Sequence, residues 1–208
     1  ATTGSAAPLM KEASSLAKNS TALATSSDVA NLPRGTSPRR SALRAGSLKS
    51  TWTSGVACLL AIWEAWVKDG AREDIGFILF DGEELGLLGS TAFAYDRDFN
   101  GSFVINIDAI GNGNLAILEA DPAGELDAML CSIGVKVAAE GGIVVKRAVS
   151  RTGRSDHVPL RESGARCFWL SDHPNMSRET DVDTLANVDM SELEEACRLV
   201  AGIIRSVV

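Results

Sequence analysis

FILFDGEELGLLGS, residues Phe77–Ser90, joins an apolar run to two adjacent acids and then to a Gly-Leu-Leu-Gly-Ser segment. The apolar run begins at Ile75 and reads as a buried strand over Ile75–Phe80, because it is continuous and of strand length. Two carboxylates directly after such a strand are costly unless their charge is compensated. One compensation is a helix N-terminus, whose dipole Glu83 and Glu84 would complement. Another is a metal ion, with one glutamate as ligand and its neighbour as general base.

Working outward, Val56, Leu59, Leu60, Trp63, Trp66 and Val67 recur at helical spacing upstream, and Gly70 supplies the stop. Downstream, Phe103–Asp108 reads as a second strand that also ends on an acid, which either caps the next turn or ligates. Asn114–Glu119 follows as a third strand, then a helix through Leu126, Met129, Leu130, Ile133 and Val137, stopped by Gly141-Gly142. Ile143–Val149 and Ala165–Leu170 read as further buried strands. Ser191-x-x-Glu194 has the capping-box pattern for a last helix that buries Leu193, Cys197, Val200 and Ile204. Nearer the start, Pro8 suits the first position of a short helix and Thr21–Thr25 is a weak strand. Residues 26–53 form a long polar stretch. Strands alternating with helices predict an α/β sandwich with several parallel strands. Ligands of such sheets bind beyond the carboxyl ends of the strands, where Glu83, Glu84 and Asp108 fall.

The 208 residues suit a single domain over 1–208. Hydrophobic residues at 45% and charged residues at 23% match a globular protein. No apolar run is long enough for a membrane span, and no signal peptide is visible at the start. The net charge of −7 argues against nucleic acid as a partner. Cys58, Cys131, Cys167 and Cys197 form no CxxC pair and sit in apolar segments, so they read as buried core thiols and leave the redox compartment open.

FILFDGEELGLLGS resembles the segment of the zinc aminopeptidase family in which a Glu-Glu pair follows a strand. That metallopeptidase family also holds glutaminyl cyclases and the non-catalytic ectodomain of transferrin receptor. Four further segments fall in the family's order: Thr53-Ser54-Gly55-Val56, Ile105-Asn106-Ile107-Asp108 with Ile110-Gly111, Ser155-Asp156-His157, and Asp183-Thr184-Leu185-Ala186-Asn187. The resemblance implies a three-layer α/β/α sandwich with a mixed, largely parallel sheet. It gives Glu83 the position of the general base, and Glu84 and Asp108 positions as metal ligands. A secreted or periplasmic location is likewise implied by resemblance alone.

The remaining ligand positions depart from the family's pattern. The early histidine falls on Ser26, the bridging aspartate on Thr51 and the last histidine on Glu179. What is left as metal ligands is Glu84, Asp108 and Glu179, all oxygen donors that suit a harder ion than zinc. A catalytic zinc takes three protein ligands and an open water position, but the resemblance puts only Glu84 and Glu179 on one metal and Asp108 alone on the other. The expectation is therefore at most one weakly held ion, zinc or none. His157 belongs to the Ser-Asp-His motif, which lines the site in the family without ligating; His173 is a solvated loop residue or a displaced ligand.

Val29–Trp63 contains no acid but holds Arg34, Arg39, Arg40, Arg44 and Lys49. This stretch is a solvated loop, a source of a cation (Lys49 being closest to Thr51) that neutralises the acids of the cleft, or a docking site for an acidic partner. Two functions follow. One is a peptidase-family domain with lost or impaired catalysis and a binding or structural role, with a protein partner. The other is an active metal-dependent aminopeptidase or cyclotransferase with a single-metal site, acting on a peptide or small-molecule ligand.

Overall fold

The structure, a computed structural model, describes residues 50–68, 74–174 and 183–208. Helix α1 spans Ser50–Lys68, α2 Leu88–Ala94, α3 Ala128–Gly141, α4 His157–Glu162 and α5 Met190–Val207. Strand β1 spans Phe103–Ile107, β2 Leu115–Asp121, β3 Gly124–Glu125, β4 Lys146–Val149 and β5 Arg166–Asp172. Short 3-10 turns cover Glu83–Leu85 and Leu185–Asn187.

These strands form one mixed, open sheet. β1 lies parallel to β5, with Ile105 opposite Phe168 and Ile107 opposite Leu170. β5 runs antiparallel to β2, and β2 parallel to β4. β3 closes a short hairpin on β2. The central strands β2 and β5 are nearly continuous apolar runs because both of their faces are covered. Phe168, Leu170, Ile117 and Leu118 are wholly buried there. Helices α1, α3 and α5 pack together on one face, and α2 and α4 on the other, giving the α/β three-layer arrangement expected.

Glycine sets two of the close approaches that position the groove. A Cβ on Gly55 would land on the Ile107 carbonyl oxygen, so only glycine lets α1 sit directly on the end of β1. A Cβ on Gly89 would meet the Asp81 backbone in the same way.

Three expectations are corrected. Ile75–Phe80 carries no strand ladder among the described residues, and Ile78 and Leu79 are 39% and 55% exposed. β1 ends the sheet, and among the described residues its ladder is with β5 alone, so the 75–80 segment lines the groove without joining the sheet. The cap of α5 is Asp189 and not Ser191: Asp189 Oδ1 accepts from Ser191 N at 2.9 Å and from Glu192 N at 3.2 Å. The polar stretch assigned to 26–53 ends sooner, since Ser50–Thr53 already belong to α1. The helix at Pro8, the strand at Thr21–Thr25 and the basic residues Arg34–Lys49 lie outside the described residues.

Candidate functional site: an acidic groove beside β1

Residues 81–90 fold into a tightly bonded loop. Asp81 Oδ1 accepts from Gly82 N at 2.8 Å, and Gly82 takes a positive φ of 73° that opens the turn. Glu83 O accepts from both Gly86 N and Leu87 N, and Gly89 N returns to Asp81 O at 2.9 Å. Glu83 and Glu84 therefore sit on a 3-10 turn ahead of α2, not on the first turn of an α-helix. Neither side chain is buried in the core: Glu83 is half-buried and Glu84 exposed.

Asp108 leaves the end of β1, where its N–H bonds Leu170 O at 3.1 Å. The next residue, Ala109, has φ 55°, and the turn is then clasped from both helices. Ser54 Oγ of α1 accepts from Ile110 N at 3.2 Å, and Glu192 Oε1 of α5 accepts from Gly111 N at 2.8 Å. A groove of about 700 Å³ opens between the 76–85 segment, β1 and the start of α4, and Glu83, Glu84, Asn106, Asp108, Asp156 and His157 all line it.

Asp156 adds a carboxyl to this wall. Buried Ser90 donates to its Oδ1 at 2.6 Å, tying the 81–90 loop to α4. Burial raises the Asp156 pKa, the Ser90 hydrogen bond opposes that rise, and the Asp108 carboxyl adds to it. Behind the wall, His157 is fully buried and its Nε2 lies 2.6 Å from Asp121 Oδ2. Burial holds the imidazole down at about 4, so it is neutral, and Nε2–H is the donor to a carboxylate that can only accept. Burial pushes the Asp121 carboxyl up, but the Arg161 hydrogen bond at 2.9 Å, His157 and the Ala123 N–H together hold it below its ordinary range. Nδ1 of His157 then faces the Asn106 amide at 3.4 Å, and the same amide donates to Ser155 Oγ at 2.9 Å. An unbroken polar chain thus runs from Arg161 through Asp121 and His157 to β1, two residues before Asp108.

Glu83, Glu84 and Asp108 are brought to one groove, while Glu179 and Ser26 lie outside the described residues and Thr51 stands in the first turn of α1. Among the described residues no three His, Cys, Asp or Glu side chains converge closely enough to hold a metal ion. On their own they do not fit a catalytic zinc, which takes three protein ligands. Both nitrogens of His157 are engaged by Asp121 and Asn106, and His173 is half-buried, its backbone N–H donating to Asn114 O. Asp121 goes unmarked in the sequence reading, whereas Asp156 stands in the Ser155-Asp156-His157 motif without a role of its own. Asp121 carried the signal that singled out Asp108, an acid closing a buried strand; the Ser90–Asp156 contact spans 66 residues and has no local signature.

A mixed sheet between two helical layers, with acids from loop ends over one groove, defines a three-layer α/β domain with an acidic groove. The chain belongs to peptidase family M28, whose family model matches residues 53–204. Among solved structures it is similar to the aminopeptidase of Aneurinibacillus sp. strain AM-1, at 20% identity and TM-score 0.61, over 74% of this chain and 38% of that one. The zinc aminopeptidase BSAP of Bacillus subtilis is similar at 22% identity and TM-score 0.62, over 76% and 41%. LapA aminopeptidase of Legionella pneumophila is similar at 16% identity and TM-score 0.66, over 76% and 46%. The chain thus spans less than half the length of these structures. No curated protein matches it in sequence. No helix among the described residues is long and apolar enough to cross a membrane.

Proposed function

We propose that this chain is an aminopeptidase-like domain of its family in which two-metal catalysis is lost or impaired, and that its groove serves binding. The observation that carries this reading is the composition of the site wall. Glu83, Glu84 and Asp108 line one groove, but the positions that would complete the ligand set hold Ser26, Thr51 and Glu179. Without the bridging carboxylate nothing fixes two ions at the short separation that two-metal hydrolysis uses. In this reading Glu83 retains the position of a general base without the metal-activated water it would act on. The lining also includes Ile78, Leu79, Phe80 and Leu85, apolar groups beside the acids that suit a peptide with an apolar side chain and a positive amino end.

The test is metal content and turnover measured together on protein purified without chelator. At most one weakly held ion per chain is expected, with hydrolysis of aminoacyl anilides no faster than that of Glu83→Gln. Stoichiometric zinc together with turnover abolished by Glu83→Gln would instead establish the second reading, an active hydrolase or cyclotransferase with a reduced metal site. Glu83, Glu84 and Asp108 around one groove are what favours that alternative.

A further inference from the structure

Cys58 and Cys197 are 139 residues apart in sequence, yet their sulfurs lie 3.1 Å from one another between α1 and α5. All four cysteines are buried thiols, as their apolar settings predict. Cys131 donates to the Leu118 carbonyl, and Cys167 to the carbonyls of Ala165 and His157. Cys58 and Cys197 alone face each other. Their separation is inside ordinary sulfur–sulfur contact and about 1 Å from the bonded length. No third ligand joins them among the described residues, so a thiolate metal site is not the explanation.

We propose that Cys58 and Cys197 are a disulfide pair, oxidised when the chain folds against a small-molecule disulfide and clamping α1 to α5. With oxidised glutathione as the oxidant, the thiolate of Cys197 attacks one glutathione sulfur and the glutathione S–S bond breaks. A first glutathione thiolate leaves. The Cys58 thiolate then attacks Cys197 Sγ, and the second glutathione thiolate leaves. Two protein thiols are oxidised, one disulfide is reduced to two thiols, and the two protons pass through solvent to the departing glutathiones. Cys197 is the entry point, being 8% exposed against 1% for Cys58. The hydrogen bond with Cys197 and burial both push the Cys58 thiol up, so the bond forms readily while α5 is still docking and slowly afterwards.

The clamp has a structural consequence at the groove. Ser54 of α1 and Glu192 of α5 hold the Asp108–Gly111 turn, each about one helical turn before Cys58 and Cys197. A covalent bond between the same two helices, one turn further along each, would fix the spacing of that frame. The inference is independent of whether the domain hydrolyses anything.

The full chain is refolded in a mixture of reduced and oxidised glutathione, its free thiols are alkylated in denaturant, and intact mass and non-reduced peptide maps are recorded. The expected product lacks two hydrogens, links the Cys58 and Cys197 peptides, and carries alkyl groups on Cys131 and Cys167. Its Tm should exceed that of the dithiothreitol-treated protein by about 5 °C or more. The increment should vanish in Cys58→Ser/Cys197→Ser. Four alkylated cysteines, or a link involving Cys131 or Cys167, would overturn the proposal. Should the double variant fail to fold, Cys131→Ala/Cys167→Ala, which retains only the pair in question, gives the same mass readout.

Discussion

Ser90 is wholly buried, and its hydroxyl donates to Asp156 while also lying 3.2 Å from the Leu87 carbonyl. The hydroxyl has one proton, so the strong bond is the one at 2.6 Å to the carboxylate. Removing it acts twice on Asp156. The bond is what opposes the upward pull of burial and of Asp108, so Ser90→Ala should raise the Asp156 pKa further. It should also cost about 1.5–3 kcal/mol, the range for a hydrogen bond to a charged group. A carboxyl-carbon NMR titration reads the first effect and urea unfolding the second. An unchanged Asp156 titration would show that the hydroxyl does not hold this carboxyl in solution. Because Asp156 shares the groove with Asp108, any drift in its charge alters the field that a cationic amino end meets there.

Among the elements, the helices were more legible than the site. Leu193, Cys197 and Val200 marked the buried face of α5, because a helix packed on one side repeats its apolar residues at its own period. The capping signal was misread by two residues: Ser191-x-x-Glu194 fits the pattern, yet Asp189 does the capping. A pattern of residue types does not say which oxygen reaches the free N–H groups. Asp189→Ala should therefore cost about 1 kcal/mol, while Ser191→Ala should be close to neutral, both by urea unfolding. Equal losses would restore the serine cap. The strand at Ile75–Phe80 was overread for a different reason. Its apolar run is real, but a strand is a relation between two segments, and sequence shows only one of them. The same holds for the groove. Glu83, Glu84 and Asp108 were found as acids following apolar runs, whereas the Asp121–His157 and Cys58–Cys197 contacts join residues that only tertiary packing brings together.

For the molecule as a whole, the buried ionisable groups set how stability depends on pH. Asp172 and Glu192, on β5 and α5, place two buried carboxyls against each other under the Gly111–Asn112 turn. Burial first, and the Glu192 hydrogen bond and charge next, push Asp172 from 3.8 up to about 8. Its folded form holds a proton that the unfolded chain releases, so this group lowers stability as pH rises from about 4 to about 8. His157 works in the opposite sense. With its pKa depressed from 6.5 to about 4, it stays neutral when folded while the unfolded chain takes up a proton, so stability falls as pH drops through that window. Between about 4 and 6.5 the two slopes oppose one another. From 6.5 to about 8 Asp172 acts without that opposition, and stability should decline. Asp172→Asn keeps the shape and removes the titration. It should flatten the decline above pH 6.5 and uncover the rise below it, measured as Tm against pH in buffers of constant ionic strength. If wild type and Asp172→Asn gave parallel profiles, the shared proton would have to sit on a pair other than Asp172 and Glu192.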